Sequence, residues 1–154
     1  MKYFIPQEYL PKETWDYFKS KYGNGALGMR YVDSKIPIFM DWLRETLGKS
    51  ITVNNWHLNL SSDETFDGRC LRLPSDTVYK LYSEHSYGRA IDFDVQGMKA
   101  EDVRQLLLTK YSADFLKLGA TSMEKNTNWV HVGFADFSSG WSPEKQNGIY
   151  LLNA

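Results

Sequence analysis

The sequence is poor in cysteine and histidine, and it has no excess of charge of either sign. Its 154 residues include one cysteine, Cys70, which excludes an internal disulfide and a cysteine-rich zinc knuckle. The 18 Lys and Arg residues are balanced by 19 Asp and Glu residues, which argues against a nucleic-acid-binding protein or a polybasic membrane binder. Any metal site must therefore be built from carboxylates and the three histidines, which are His57, His85 and His131.

Long apolar runs are also absent. No run approaches the roughly 20 residues of a membrane-spanning helix, and residues 1–8 contain no apolar segment typical of a secretory signal. We therefore expect a protein that is cytoplasmic as synthesised and does not bind membranes. The length and the 42% hydrophobic content predict a single globular domain over residues 1–154, and we expect it to be a monomer.

The spacing of apolar residues predicts an α+β fold in which helices pack on a small antiparallel sheet. Three helices are predicted, over residues 12–22, from a cap at Asp33 or Ser34 to Gly48, and over residues 99–112. Strands are predicted at 51–53 and 89–95, followed by a hairpin of 121–124 and 129–134. The glycine-rich residues 23–28, the long irregular stretch 54–83 and the tail from Ala135 are predicted to be loops.

Two short segments carry the residues with chemical potential. In SEHSYGRAID (residues 83–92), Gly88 allows the chain to turn so that His85 and Asp92 face one point. In the predicted strand WVHV (residues 129–132), His131 shares a face with Trp129. Two imidazoles and one carboxylate form a three-ligand set for Zn²⁺, which leaves a fourth position for an activated water, as in catalytic zinc sites.

The pattern Ser-x-His-x-x-Gly-x-Ala-x-Asp followed by a Trp-x-His strand resembles the zinc D-Ala-D-Ala carboxypeptidases and phage endolysins of peptidase family M15. The hedgehog signalling domain has a similar fold and zinc site. The resemblance covers residues 51–134, and it implies that His85, Asp92 and His131 are the zinc ligands. It further implies a hydrolase of peptidoglycan stem peptides, encoded by a phage or prophage and released to the cell wall by a separate lysis system.

One position departs from the family pattern. Many members carry an acidic general base three residues before the last ligand, and Asn128 stands there in this chain. Glu124, at the end of the preceding strand, is the best substitute, although a solvated turn residue is the alternative reading. Asp94 is a weaker candidate for the base, and we expect Asp94 and Asn128 to lie beside the ligands rather than on the metal.

The resemblance also implies residues that bind the substrate. Arg72 matches an upstream family arginine that binds a substrate carboxylate or carbonyl, and its guanidinium suits a terminal carboxylate. Ser83 is expected to bond the substrate backbone, and Trp129 is expected to line the cleft. Arg72 as a surface residue and Trp129 as a core residue remain open alternatives. Cys70 is expected to be a buried, unreactive thiol.

Three functions are consistent with these features. The first is a zinc metallopeptidase, either a carboxypeptidase or an endopeptidase, that uses Glu124 as general base. The second is a catalytically inactive zinc-binding module of the same fold, serving as a binding or phage structural component. The third is an α+β domain that holds no metal.

Overall fold

The computed structural model describes residues 1–136 and 144–153 and has an α+β fold. The α-helices are α1 (Lys12–Tyr22), α2 (Lys35–Leu47), α3 (Ala100–Leu108) and α4 (Ser112–Lys117). The strands are β1 (Ile51–Thr52), β2 (Ala90–Val95), β3 (Ser122–Lys125), β4 (Val130–Gly133), β5 (Glu144–Gln146) and β6 (Ile149–Asn153). Short 3₁₀ helices lie at Pro6–Glu8, Gly25–Tyr31, Trp56–Leu58 and Glu84–Tyr87.

The first two predicted helices are confirmed. Helix α1 ends where Gly23 adopts a left-handed conformation, and α2 ends in the same way at Gly48. The side chain of Asp33 accepts a hydrogen bond from the backbone of Lys35, as expected for a residue that caps the first turn. The stripe predicted for α2 is buried except at its last residue, the half-buried Leu47, and its buried members are Ile36, Phe39, Met40 and Leu43.

The prediction of one continuous helix over residues 99–112 is wrong, because the structure forms two helices there. Helix α3 ends at Leu108, and the hydroxyl of Thr109 donates a 2.6 Å hydrogen bond to the carbonyl of Gln105. Such a side-chain bond competes with helix continuation. The break lets α4 turn the fully buried Phe115 onto the ring of Phe39, with ring centroids 5.6 Å apart. Core packing therefore outweighs the local helical periodicity.

The strand and loop predictions are confirmed in part. The predicted hairpin forms from β3 and β4. Residues 54–83 are mostly irregular as expected, whereas the glycine-rich loop at 23–28 runs into a 3₁₀ helix that begins at Gly25. The part of the tail prediction that falls on residues 137–143 lies outside the described residues.

The rest of the tail prediction is wrong, because residues 144–153 form the hairpin of β5 and β6. Strand β6 lies parallel to β3, so the six-stranded sheet is mixed rather than antiparallel, in the order β1-β2-β4-β3-β6-β5. The alternation of Ile149 and Leu151, both buried, with more exposed neighbours is the strand signal that the local turn residues obscured.

The two faces of the sheet differ in chemistry. One face carries a cross-strand apolar row of Ile91, Val132, Met123 and Leu151, which belongs to the core formed with the helices. The opposite face carries Asp92 directly beside His131. Successive side chains of a strand point to opposite faces of the sheet. The positions that face the core therefore also determine which residues face the polar side, where the site lies. Within residues 1–136 and 144–153, no helix has the length and apolar character that a bilayer crossing requires.

Candidate metal centre

A buried cluster of His85, Asp92 and His131 lies on the polar face of the sheet. The three residues are 3–7% exposed, and their ligand atoms lie within 4.8 Å of one another, so the cluster can hold a metal ion. Strands β2 and β4 supply Asp92 and His131 as a directly opposed pair. The expectation that these three residues converge is therefore confirmed.

His85 reaches the cluster from the 3₁₀ turn Glu84–Tyr87, and Gly88 determines the position of this turn. Gly88 has a φ of 63°, and a Cβ atom there would lie 1.9 Å from the carbonyl oxygen of Tyr31. Only glycine combines that conformation with so close a backbone approach. The carbonyl of Gly88 also accepts a hydrogen bond from the backbone of Asp33, which ties the turn to the start of α2.

The ligand atoms lie close enough together for one metal ion, and His85 has its free lone pair directed at their centre. Nε2 of His85 lies 3.2 Å from Oδ2 of Asp92 and 3.3 Å from Nδ1 of His131, and that Nδ1 lies 2.7 Å from Oδ1 of Asp92. A zinc tetrahedron with bonds of about 2.0–2.1 Å has edges of about 3.3 Å. Nδ1 of His85 donates to the carbonyl of Cys70 at 2.9 Å, which leaves the Nε2 lone pair directed at the centre.

Protonation of the cluster is coupled to metal binding. Burial acts to raise the pKa of Asp92, but the neighbouring His85 and His131 outweigh it and hold the pKa below its usual value. Burial likewise acts to lower the pKa of His131, and the hydrogen bond and charge of Asp92 outweigh it and raise that pKa. Because a histidine binds a metal through a deprotonated nitrogen, this raised pKa makes protons stronger competitors of the metal at His131, so metal affinity falls as the pH falls.

Glu124 lies next to the cluster because of the hairpin register. Ser122 pairs with Gly133 and Met123 with Val132, so the next position places Glu124 opposite His131. Directly opposed residues have Cβ atoms about 4.5–5.5 Å apart. Glu124 lines the same cleft as the three ligands. The carboxylate that the sequence suggests as a base is therefore beside the candidate ligands.

The cleft, which has a volume of about 1140 Å³, brings together most of the predicted site residues. Its lining includes the proposed ligands, Glu124, Arg72, Ser83 and Trp129. Nη2 of Arg72 lies 3.6 Å from Oδ2 of Asp92, which places a positive charge at the edge of the metal centre. Trp129 is half-buried rather than a core residue.

Two predicted neighbours of the ligands lie elsewhere. Asp94 pairs with Arg69, with Nη1 and Oδ2 2.6 Å apart, and Arg69 is stacked on the ring of Phe66. Asn128 is exposed in the hairpin turn and is not among the residues that line the cleft. Asp94 shares the strand face of Asp92 as predicted, but it bonds to Arg69 rather than to a ligand histidine. Cys70 is buried and free, and burial raises the pKa of its thiol, as expected for an unreactive cysteine.

Sequence reasoning missed Glu84, which lines the cleft and has a buried carboxylate. Both of its oxygens are shielded from solvent, and hydrogen bonds from the Ser122 side chain and the Phe134 backbone only partly offset the effect of burial on its pKa. A Cβ atom on Gly133 would lie 1.9 Å from Oε2 of Glu84, so this carboxylate fills the space that glycine leaves beside His131. Burial raises the pKa of Glu84 to about 7, while His131 opposes the rise and Glu124 adds to it. The only available signal was its place between Ser83 and His85.

Comparison with protein-family models, with curated protein sequences and with solved structures gives no match for this chain.

Proposed function

We propose that this protein is a zinc-dependent peptidase that hydrolyses D-amino-acid-containing stem peptides of peptidoglycan, as its resemblance to peptidase family M15 implies. One observation carries the enzymatic part of the proposal. Glu124 continues the cross-strand row of His131 and Asp92, so a carboxylate lies beside the candidate ligands in an open cleft. A site that only stored a metal would not need this acid.

Each residue has a distinct part in the proposed reaction. Zinc, when bound, supplies a Lewis acid for the scissile carbonyl and for water. Glu124 takes the proton of the attacking water and returns it to the leaving amine. Arg72 binds a substrate carboxylate or carbonyl, Ser83 bonds the peptide backbone, and Trp129 forms one wall of the cleft.

The variant Glu124→Gln tests the assignment of the base. Because glutamine keeps the shape but cannot accept the proton, we expect turnover to fall by about 10²–10⁴-fold while one equivalent of zinc is retained. Turnover is measured as soluble peptide products from purified peptidoglycan, identified by mass, and zinc by metal analysis.

Glu45→Gln, a change at an exposed carboxylate that pairs with Lys2, serves as the matched control and should keep full activity. Full activity of Glu124→Gln would show that another group is the base. A wild-type protein with less than about half an equivalent of zinc would contradict the metal assignment itself.

A second function is favoured by the exposed Asn128, which stands where the family acid is usual. In this alternative the chain is a catalytically inactive zinc-binding module. It would bind zinc as tightly as the proposed enzyme and release no peptide from peptidoglycan under any condition, so the same digestion decides between them.

A further inference from the structure

A second cavity, of about 600 Å³, adjoins the cleft. It is enclosed by helix α1, the end of the Gly25–Tyr31 helix, the loop around Leu73 and the turn at Tyr87. Four tyrosines line it, and we call it the tyrosine cavity; they are Tyr17, Tyr31, Tyr79 and Tyr87. Arg72 and Tyr79 line both this cavity and the cleft of the metal centre, so the two spaces are adjacent.

The tyrosine rings are positioned but not buried. Tyr17, Tyr31 and Tyr87 remain 52–55% exposed. The ring of Tyr17 meets Phe18 edge to face at 5.2 Å, and its hydroxyl accepts a 3.0 Å hydrogen bond from Lys21. Aromatic rings that are held in place and yet left open to solvent at a concave surface are typical of a ligand site rather than of a core.

The tyrosine cavity is also lined by polar groups that can hydrogen-bond to a ligand. The carboxylate of Glu13 accepts a hydrogen bond from Ser75 at 2.6 Å, and the hydroxyl of Ser86 donates to the carbonyl of Lys80. Arg72 supplies a guanidinium at the junction with the cleft. The cavity therefore offers flat apolar faces together with hydroxyl, carboxylate and guanidinium groups at the edges.

The side chains of stem peptides do not match this surface, because they are small or charged rather than bulky and apolar. The amino sugar that carries the stem peptide does match it. A pyranose ring has an apolar C–H face that packs on an aromatic ring, and its edge carries hydroxyl and amide groups that hydrogen-bond to tyrosine, carboxylate and guanidinium groups.

We infer that the tyrosine cavity binds an N-acetylated amino sugar of the glycan strand while the attached stem peptide lies in the cleft. The inference rests on the proposed function, because it places the sugar next to the peptide. It assigns the protein a preference for peptides still attached to glycan.

The first test compares a free stem peptide with the same peptide attached to its disaccharide. We expect the KM for the glycan-bearing substrate to be about tenfold lower with kcat unchanged, because the sugar contributes binding that is equal in the ground and transition states. Tyr17→Ala and Tyr31→Ala should each raise the KM for the glycan-bearing substrate toward that for the free peptide. Tyr3→Ala, a change at an exposed tyrosine outside the cavity, should leave the preference intact.

The second test needs no turnover. Calorimetric titration of the zinc-loaded protein with a β-1,4-linked N-acetylglucosamine trimer should show binding that Tyr17→Ala weakens about tenfold and Tyr3→Ala leaves unchanged. Absence of trimer binding, or equal KM values for the two substrates, would overturn the inference. Trimer binding without peptide release from either substrate would support the cavity assignment and reject the peptidase proposal, so the two failures are distinguishable.

Discussion

At the scale of single residues, the carboxylate of Glu84 occupies space beside the candidate metal centre that is free only because residue 133 is glycine. A side chain at Gly133 would collide with the Glu84 carboxylate and the Ser122 hydroxyl, so the absence of a Cβ atom is what admits the acid. The carboxylate is held in a site that burial makes unfavourable for its charge. Glu84 therefore has a measurable effect on how stability depends on pH.

We expect the metal-free protein to lose stability as the pH rises from about 4.5 to 7. The pKa of Glu84 is raised to about 7 in the folded protein. Between these values the unfolded chain releases a proton that the folded chain keeps, so unfolding becomes easier with rising pH. Relative to wild type, Glu84→Gln should gain about 3 kcal/mol in unfolding free energy between pH 4.5 and pH 8.

Urea unfolding in the presence of a chelator, at pH 4.5 and pH 8, measures this difference. Glu64→Gln, a change at an exposed glutamate, is the control and should follow the wild-type pH dependence. Parallel curves for wild type and Glu84→Gln would show that the carboxylate carries no such penalty.

At the scale of elements, helix α3 determines the position of the hairpin that carries Glu124 and His131. Arg104 is 4% exposed, and its guanidinium donates to the carbonyl of Trp129 at 2.8 Å and to the carbonyl and hydroxyl of Thr127 at 2.8 and 3.1 Å. These bonds hold the β3–β4 turn in one conformation. The helix behind the sheet therefore supports the hairpin on which the site is built.

Arg104→Met should destabilise the protein by about 3 kcal/mol, because it removes three hydrogen bonds of the guanidinium and leaves the buried carbonyl of Thr127 without its donor. Urea unfolding of the metal-free protein measures the loss. Arg30→Met, which replaces an exposed arginine, should change stability by less than about 0.5 kcal/mol. An Arg104→Met variant as stable as this control would show that the turn forms without the guanidinium.

Element prediction succeeded where local signals and packing agree, and failed where they do not. Helices α1 and α2 both end at a glycine, so their sequence alone predicts their extent, whereas the apolar stripe predicts the buried face of α2 but not that of α1, in which Tyr22 is exposed. Gly148 marks the turn before strand β6. The place of β6 in the sheet, however, depends on pairing with β3, which lies more than twenty residues earlier in the chain. No local periodicity specifies a partner at that distance.

At the scale of the whole molecule, a metal at the centre would join three separate segments. The ligands come from β2, β4 and the turn before β2, and the carbonyl that orients His85 comes from the long loop at Cys70. A ligand that binds only the folded state stabilises it by mass action. The metal should therefore stabilise the sheet and the loop together.

Zinc at about a thousand times its Kd should add about 4 kcal/mol of stability and raise the Tm by about 10 °C. Differential scanning calorimetry with zinc and with a chelator measures the shift. His131→Ala should abolish it, whereas His57→Ala, at the histidine outside the cluster, should keep it. An unchanged wild-type Tm in chelator would contradict a bound structural or catalytic zinc.

The sequence by itself determined the residues of the candidate metal centre and the residue that could act beside them. A glycine turn and strand alternation, which are local properties, indicated that His85 and Asp92 face one point, but only the resemblance to peptidase family M15 joined His131 to them as a ligand set. Glu124 was identified only as a possibility, and the tertiary structure placed it opposite His131 through the hairpin register. The burial of the Glu84 carboxylate and the formation of the tyrosine cavity both depend on packing between segments that are distant in the sequence. The periodicity of the sequence carries no information about such packing, so only the tertiary structure determined these two features.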